Sequence, residues 1–144
     1  MPLVDITMRP GYQIQLANMR DTAFVSSKVT RALIKHHFSR ALPDLIVARA
    51  KDLDLDPTTP SKAVQIMNHD YGRHDVNIVD IWIKILFTED PPKQQRRQQI
   101  SSTLHEVIIG WFSLQELIPG DLFLDVFWCP ASGMGSIDGE AIHY

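Results

Sequence analysis

The strongest constraint on the fold of this chain is a run of alternating residues near its middle. Apolar side chains occupy every second position from Val79 to Phe87, and Asp80, Trp82, Lys84 and Leu86 stand between them. Successive side chains of a β-strand point to opposite faces, so a period of two predicts a strand with one buried face. Such a strand needs neighbouring strands to pair with and a second layer to cover its apolar face.

Three further segments have the character of strands. We predict strands at Leu3–Met8, Ala63–Met67 and Leu122–Trp128, with the turn signal Pro10-Gly11 after the first. The polar residues 69–77 lie between the predicted strand at Ala63–Met67 and the alternating run that starts at Val79. They are interpreted as a loop or hairpin. Residues 133–144 form a glycine-containing tail.

Two regions have helical periodicity. From Thr22 to Phe38 one apolar face includes His36, and the helix is predicted to restart so that Pro43 lies in its first turn. The second helix is predicted to begin with Asp90 as its cap and to end at Pro119-Gly120. Its apolar stripe consists of Ile100, Leu104, Val107, Ile108 and Trp111.

This order of elements predicts two strand–helix–strand units in tandem, at about 1–77 and 78–144. A strand–helix–strand unit normally places its two strands parallel, through a right-handed crossover. The predicted fold class is therefore α+β, with the helices packed on one face of a sheet, and residues 1–144 form a single domain.

Composition narrows the classes of function. The net charge of −3 provides no basic surface for nucleic acid. No apolar run reaches the roughly 18 residues of a membrane helix, and Asp5 and Arg9 interrupt any signal-peptide pattern. The single cysteine, Cys129, fits a reducing compartment, where we expect it to be a buried apolar residue. We therefore expect a cytoplasmic protein without nucleic-acid or membrane partners.

The histidines and the short basic run lack the spacing of a binding motif. His36 and His37 are adjacent on a helix and point about 100° apart, while His69 and His74 have no zinc-ligand spacing. We expect no metal and no other cofactor. Residues 93–97 (KQQRR) are interpreted as a solvated helix face.

Three stretches of the chain resemble the tautomerase superfamily. They are Met1-Pro2-Leu3-Val4-Asp5-Ile6, Asp54–His69 (DLDPTTPSKAVQIMNH) and the region from Val79 to Tyr144. In the last, residues 135–141 (GSIDGEA) look like the tail of the malonate-semialdehyde-decarboxylase-like branch. The segment around 12–38 does not fit this resemblance and is interpreted as an insertion between the first strand and its helix.

The resemblance implies cofactor-independent chemistry at an amino-terminal proline, here Pro2, in a homotrimer with active sites near subunit borders. Removal of Met1 leaves a secondary amine, and an α-amino group titrates near pH 8. Burial lowers that pKa, and the neutral amine then moves a proton between carbon and oxygen. In the decarboxylases and hydratases of the family the protonated amine acts as an acid. A retained Met1 would turn the nitrogen into an inert amide.

Small carboxylate substrates are also implied, so arginines are expected beside them. Arg9 and Arg73 are the candidates, and His69 is a candidate hydrogen-bond partner of the substrate. Phe127 and Trp128 are candidate pocket walls, although both also suit a core or an interface. The decarboxylase branch carries arginines just after its third strand, but residues 88–92 read TEDPP here. This departure weakens an assignment as decarboxylase or dehalogenase.

The first hypothesis is a tautomerase-like isomerase acting on a small 2-oxo or enol carboxylic acid. Decarboxylation, hydration or dehalogenation at the same proline stays open. A second hypothesis is a catalytically inactive oligomer of the same fold, serving as a binding or structural module. A third, a ferredoxin-like domain that binds small molecules, applies if the resemblance at the amino terminus is chance.

Overall fold

The computed structural model describes the backbone of residues 2–8, 14–16, 23–25, 28–70, 79–129, 134–137 and 140–143, and the side chains of 2–8, 35–67 and 79–129. The strands are β1 (Pro2–Met8), β2 (Ile14–Leu16), β3 (Ala23–Val25), β4 (Gln65–Asp70), β5 (Ile81–Phe87), β6 (Leu117–Ile118), β7 (Leu122–Trp128), β8 (Met134–Ile137) and β9 (Glu140–His143). The α-helices are α1 (Lys28–Ala48) and α2 (Gln94–Leu114), and short 3-10 helices span Ala50–Leu53 and Ser61–Ala63.

The main sheet has the strand order β4-β1-β5-β7. β1 and β4 are parallel, β5 and β7 are parallel, and β1 meets β5 antiparallel in the middle. Each parallel pair is connected through one long helix, so β1-α1-β4 and β5-α2-β7 are β-α-β units. The predicted α+β class with tandem β-α-β units is confirmed, and the sheet that they form is mixed.

Both helices contribute buried stripes to the core, on one face of this sheet. Phe38, Leu42 and Ile46 of α1 are fully buried at the four-residue spacing of a helix face. On α2 the buried residues are Ile100, Leu104, Ile108, Trp111 and Phe112. The sheet residues that complete the core alternate along the strands, at Val4, Ile6 and Met8 of β1 and at Ile81, Ile83, Ile85 and Phe87 of β5. The predicted alternation of β5 and the predicted stripe of α2 are confirmed.

The opposite face of the sheet is more open and mixes apolar with charged side chains. Its exposed apolar residues include Met67, Phe123 and Phe127, which are 51%, 47% and 48% exposed. Asp5 of β1, Lys84 of β5 and Asp125 of β7 lie in one register row across it. The sheet therefore has one dry face under the helices and one amphipathic face.

The predicted restart of the first helix at Pro43 is wrong. α1 continues through Pro43, with no break between Lys28 and Ala48. An internal proline costs a helix roughly 3 kcal/mol, but the buried stripe of α1 runs on both sides of it, so both halves are packed against the core. The predicted face is also shifted, because His36 is exposed and Phe38 lies in the core.

Both predicted ends of the second helix are wrong as well. α2 begins after Lys93 rather than at Asp90, because Pro91 precedes Pro92 and a residue before proline is disfavoured in the helical region. The helix ends at Leu114, and Glu116 adopts a left-handed conformation with φ of 57°. The short strand β6, which was not predicted, lies between this end and Pro119.

Three smaller differences concern the connecting segments. β4 extends to Asp70, so His69 belongs to the strand and does not follow it. α1 begins at Lys28, so the second part of the segment 12–38 is helix, while β2 pairs with β3 and β6 in a small sheet. In the tail, β8 and β9 form an antiparallel pair.

Neither helix has, within the described residues, an apolar stretch suited to crossing a bilayer.

Candidate active site

Pro2 is the first residue of β1 and is buried. It pairs with Phe87 at the carboxyl end of β5, and Phe87 is only 1% exposed. On the other side of β1, Leu3 pairs with Gln65, and the preceding Val64 is 5% exposed. The proline therefore lies at one end of the sheet among apolar residues.

Pro2, Phe87 and Trp128 form one register row across β1, β5 and β7, and the last two residues of this row are an aromatic pair. Phe87 pairs with Trp128 of β7, and the two rings stack with centroids 5.5 Å apart and an interplanar angle of 21°. The N–H of Cys129 donates to the carbonyl of Phe87 at 2.9 Å and extends the pairing by one residue. Adjacent strands are about 4.8 Å apart, so Trp128 is about 10 Å from Pro2 across the sheet.

Beside Trp128 a groove runs between β7 and the first turns of α2. It has a volume of about 550 Å³ and is lined by Pro91, Gln94, Arg97, Gln98, Ser101, Val126, Phe127 and Trp128. The four α2 residues recur at the three- and four-residue spacing of a single helix face. The groove thus combines a cation, two amides and a hydroxyl on one wall with aromatic side chains on the other.

The two arginines of α2 have different environments. The guanidinium of Arg96 forms an ion pair with Asp54, with Nη2 2.7 Å from Oδ1, and donates to the carbonyl of Asp52 at 3.0 Å. The hydrogen bond from Arg96 lowers the pKa of Asp54 below its ordinary 3.8. Arg97 is half-buried in the groove, and no hydrogen bond or ion pair joins its guanidinium to another side chain of the described ranges.

The predicted substrate-binding residues do not gather around Pro2 within one chain. His69 pairs with Thr7 near the other end of β1. Five residues along a strand correspond to about 16 Å, and the side chain of His69 is outside the described residues. Arg9 and Arg73 also lie outside them. In sequence, Arg9 follows the end of β1 directly and Arg73 follows the end of β4.

The predicted pocket walls stand side by side at the end of β7 and both line the groove. Trp128 is half-buried and packs against the core, whereas Phe127 is exposed on the open face. Cys129, expected to be buried, is exposed because β7 ends just before it. Glu89 and Asp90 are exposed and do not line the groove.

Arg97 was not selected from the sequence, where residues 93–97 were interpreted as a solvated face. The recurrence of Gln94, Arg97, Gln98 and Ser101 is a helical stripe that a search for polar faces would find. Its position against β7 depends on packing, however, and is not visible in the spacing.

Within the described residues no group of three or more His, Cys, Asp or Glu side chains is placed to hold a metal ion.

Comparison with known proteins shows which fold this architecture shares. No family model matches the sequence, and no curated protein is similar to it. Solved structures are similar over almost the whole chain. Pt0534 inactivated by 2-oxo-3-pentynoate has a TM-score of 0.51 at 14% identity, covering 95% of this chain and 93% of its own.

Two further structures are similar to the same extent. A fused 4-OT in the form of a symmetric trimer has a TM-score of 0.50 at 13% identity, over 96% of this chain and 94% of its own. A member of the cis-3-chloroacrylic acid dehalogenase family has a TM-score of 0.50 at 16% identity, over 93% and 79%. At such identities the similarity defines the fold, and the chain has the fold of the tautomerase superfamily, as its resemblance predicted. The malonate-semialdehyde-decarboxylase-like branch stays a prediction.

Proposed function

We propose that this protein is a cofactor-independent, tautomerase-like enzyme acting on a small 2-oxo or enol carboxylic acid through Pro2. The observation that carries the proposal is the burial of Pro2 at the start of β1, beside Phe87, in a tautomerase fold. Burial disfavours the charged form of an amine, so a free Pro2 nitrogen would be neutral at lower pH than an ordinary amino terminus.

The proposed reaction moves one proton. The neutral nitrogen of Pro2 accepts the hydroxyl proton of the enol, which leaves an enolate and an ammonium. The carbon–carbon double bond of the enolate then takes the proton back from Pro2 while the C–O double bond forms, which leaves the keto acid and the neutral amine. General acid–base help of this kind contributes roughly 10²–10⁴-fold to a rate.

The carboxylate of the substrate requires a cation, and Arg9 and Arg73 are the proposed partners, with His69 as a hydrogen-bonding residue. His69 pairs with Thr7, near the end of β1 that is farthest from Pro2. Arg9 follows this end of β1 directly in the sequence. We therefore propose that these residues serve the Pro2 of a neighbouring subunit.

The open face of the sheet supports such an assembly. A row of apolar residues runs across it from Leu3 through Leu86 to Phe127. The charged row of Asp5, Lys84 and Asp125 lies beside it, and Trp82 donates from Nε1 to Oδ2 of Asp125 at 3.0 Å. Apolar surface around a central polar row suits contact with a second copy whose register the charges select. We propose a homotrimer, the state of the fused 4-OT that this chain resembles.

The test combines the intact mass of the purified protein with its kinetics. We expect a mass without Met1, ketonisation of phenylenolpyruvate by the wild type, and at least a tenfold loss of kcat/KM in Pro2→Ala. The matched control is Pro57→Ala, which replaces an exposed proline in a turn and should leave kcat/KM unchanged. A retained Met1, or equal activity of wild type and Pro2→Ala, would contradict the proline mechanism.

One observation favours the alternative of an inactive oligomer. Residues 88–92 (TEDPP) contain no arginine just after β5, where the decarboxylase branch of the resembled family carries arginines. If Pro2→Ala leaves the rate unchanged while the trimer persists, the fold serves as a binding or structural module.

The location in the cytoplasm also remains part of the proposal, to be tested by fractionation.

A further inference from the structure

The loop that leads into β4 contains an accessible hydroxyl in a distinctive sequence. Residues 59–62 read TPSK, and Thr59-Pro60 is the only place in the chain where a serine or threonine is followed by proline. Thr58, Pro60 and Lys62 are exposed, and Thr59 is half-buried. A surface loop can be reached by another enzyme without the opening of a strand or helix. The loop therefore presents a hydroxyl, a proline directly after it, and a cation three residues after it.

The two neighbouring threonines of this loop have different partners. Thr58 donates from Oγ1 to Oδ1 of Asp56 at 2.7 Å, and its backbone N–H donates to the same oxygen at 2.9 Å. The backbone N–H of Thr59 donates to the carbonyl of Asp56 at 2.9 Å. Among the residues that the structure describes, no hydrogen bond joins the hydroxyl of Thr59 to another group. Thr59 is therefore the more available nucleophile of the pair.

The backbone after Thr59 has the shape of an extended peptide. Pro60 has φ of −76° and ψ of 151°, which is the polyproline II conformation. Proline has no N–H, so an enzyme that places an apolar pocket at this position leaves no backbone donor unsatisfied. The exposed cation of Lys62 suits acidic side chains of such an enzyme. Proline-directed serine/threonine kinases select this combination of groups.

We propose that Thr59 is a phosphorylation site for a proline-directed serine/threonine kinase, with ATP as the phosphoryl donor. Oγ1 of Thr59 forms a bond to the γ-phosphorus of ATP, while the bond from that phosphorus to the bridging oxygen of the departing ADP breaks. The hydroxyl proton passes to a carboxylate base of the kinase. The product carries about −1.5 to −2 additional charges on the loop at pH 7.

The loop brings this charge to the end of the sheet that contains Pro2. Gln65, the first residue of β4, pairs with Leu3, so Val64 stands beside Pro2. Thr59 is five residues before Val64, a path of at most about 17 Å. The Debye length is about 30 Å at 0.01 M salt and about 3 Å at 1 M. At low salt the phosphate should therefore repel an anionic substrate, a consequence that rests on the proposed function of Pro2.

The test incubates the folded full chain with a purified cyclin-dependent kinase and Mg²⁺-ATP, and locates the phosphate by mass spectrometry. We expect phosphate at Thr59 in the wild type and none in Thr59→Ala. Thr58→Ala is the matched control, because it removes the neighbouring hydroxyl and should still be phosphorylated at Thr59. Pro60→Ala retains the hydroxyl but should lower the rate by about tenfold or more, since the kinase selects the proline. Lys62→Gln should lower it to a smaller extent.

Kinetics of the phosphoprotein separate this proposal from the proposed function. With phenylenolpyruvate at about 0.01 M salt, kcat/KM should be about two- to threefold lower than that of the unmodified protein, and the difference should vanish at about 1 M. Equal values at low salt would overturn the electrostatic effect. An inactive unmodified protein would contradict the proline mechanism, whereas the mapped phosphate decides the site by itself.

The phosphorylation site is overturned by any of three results. These are the absence of phosphate from Thr59, equally fast modification of other hydroxyls in the folded chain, and a wild-type rate in Pro60→Ala. Thermal melting shows whether each variant is folded, and Thr59→Val removes the same hydroxyl if Thr59→Ala does not fold.

Discussion

Arg96 and Asp54 form an ion pair that joins the first turn of α2 to the chain just after the first helix, with Nη2 2.7 Å from Oδ1. Nε of Arg96 also donates to both carboxylate oxygens at 3.1 Å. The partners are 42 residues apart in sequence. This contact connects the two β-α-β units close to the groove that contains Arg97.

Replacing Arg96 with Gln should lower the melting temperature more than replacing Arg49 with Gln. Among the residues that the structure describes, Arg49 pairs only with Asp52, three residues along the chain, whereas Arg96 also donates to the carbonyl of Asp52. Exposed pairs contribute little individually, so the expected difference is a few degrees. Thermal melts of both variants at neutral pH measure it, and equal melting temperatures would contradict it.

The contribution of this pair should also depend on pH. Since Arg96 lowers the pKa of Asp54 below 3.8, the stabilisation is present above about pH 4 and is lost as the pH falls through the lowered pKa. The difference in melting temperature between wild type and Arg96→Gln should therefore shrink as the pH falls below about 4. A constant difference over this range would show that Asp54 is not the group responsible.

Substitution of Phe38 should reveal that the segment before residue 39 belongs to the core. Phe38 is fully buried, and its ring centroid lies 5.1 Å from that of Trp111 and 5.3 Å from that of Phe112. Phe38→Ala should reduce the free energy of unfolding by about 3–5 kcal/mol, as measured by urea denaturation. The adjacent His37 is exposed, so His37→Ala should change it by less than about 0.5 kcal/mol.

Removing the ring of Trp128 should weaken the end of the sheet that contains Pro2. Trp128→Leu loses the stacking on Phe87, worth about 1 kcal/mol beyond the lost burial, while Trp128→Phe retains most of it. Urea denaturation of the two variants gives the difference. If both variants lose the same free energy, the stacked geometry is not important to stability.

A charge on the open face should disrupt self-association without unfolding the subunit. Leu86 lies between Leu3 and Phe127 in the apolar row, so Leu86→Asp should convert a trimer to monomers in sedimentation equilibrium. Leu114 is 80% exposed at the end of α2, and Leu114→Asp serves as the matched control. A monomeric wild type, or an oligomer that tolerates Leu86→Asp, would exclude this face as the interface.

Local patterns in the sequence were sufficient to predict most of the main sheet. The alternation ending at Phe87 and the apolar stripe from Ile100 to Trp111 were both confirmed, because each pattern depends only on which side of a single strand or helix is buried. The short run after Met-Pro became β1, and its resemblance to tautomerases led to the fold. The roles of Arg9, Arg73 and His69 stay predictions.

Contacts between distant segments were decided only by the tertiary structure. The continuity of α1 through Pro43 and the choice of Phe38 over His36 as a core residue depend on the sheet and helix that pack against α1. The difference between Arg96 and Arg97 depends on an aspartate 42 residues away from the first and on β7 beside the second. The sequence by itself therefore determined which elements form and which of their faces are apolar. Their boundaries, and the side chains that meet at the groove, were decided by packing, because the energy of a long-range contact is absent from any local pattern.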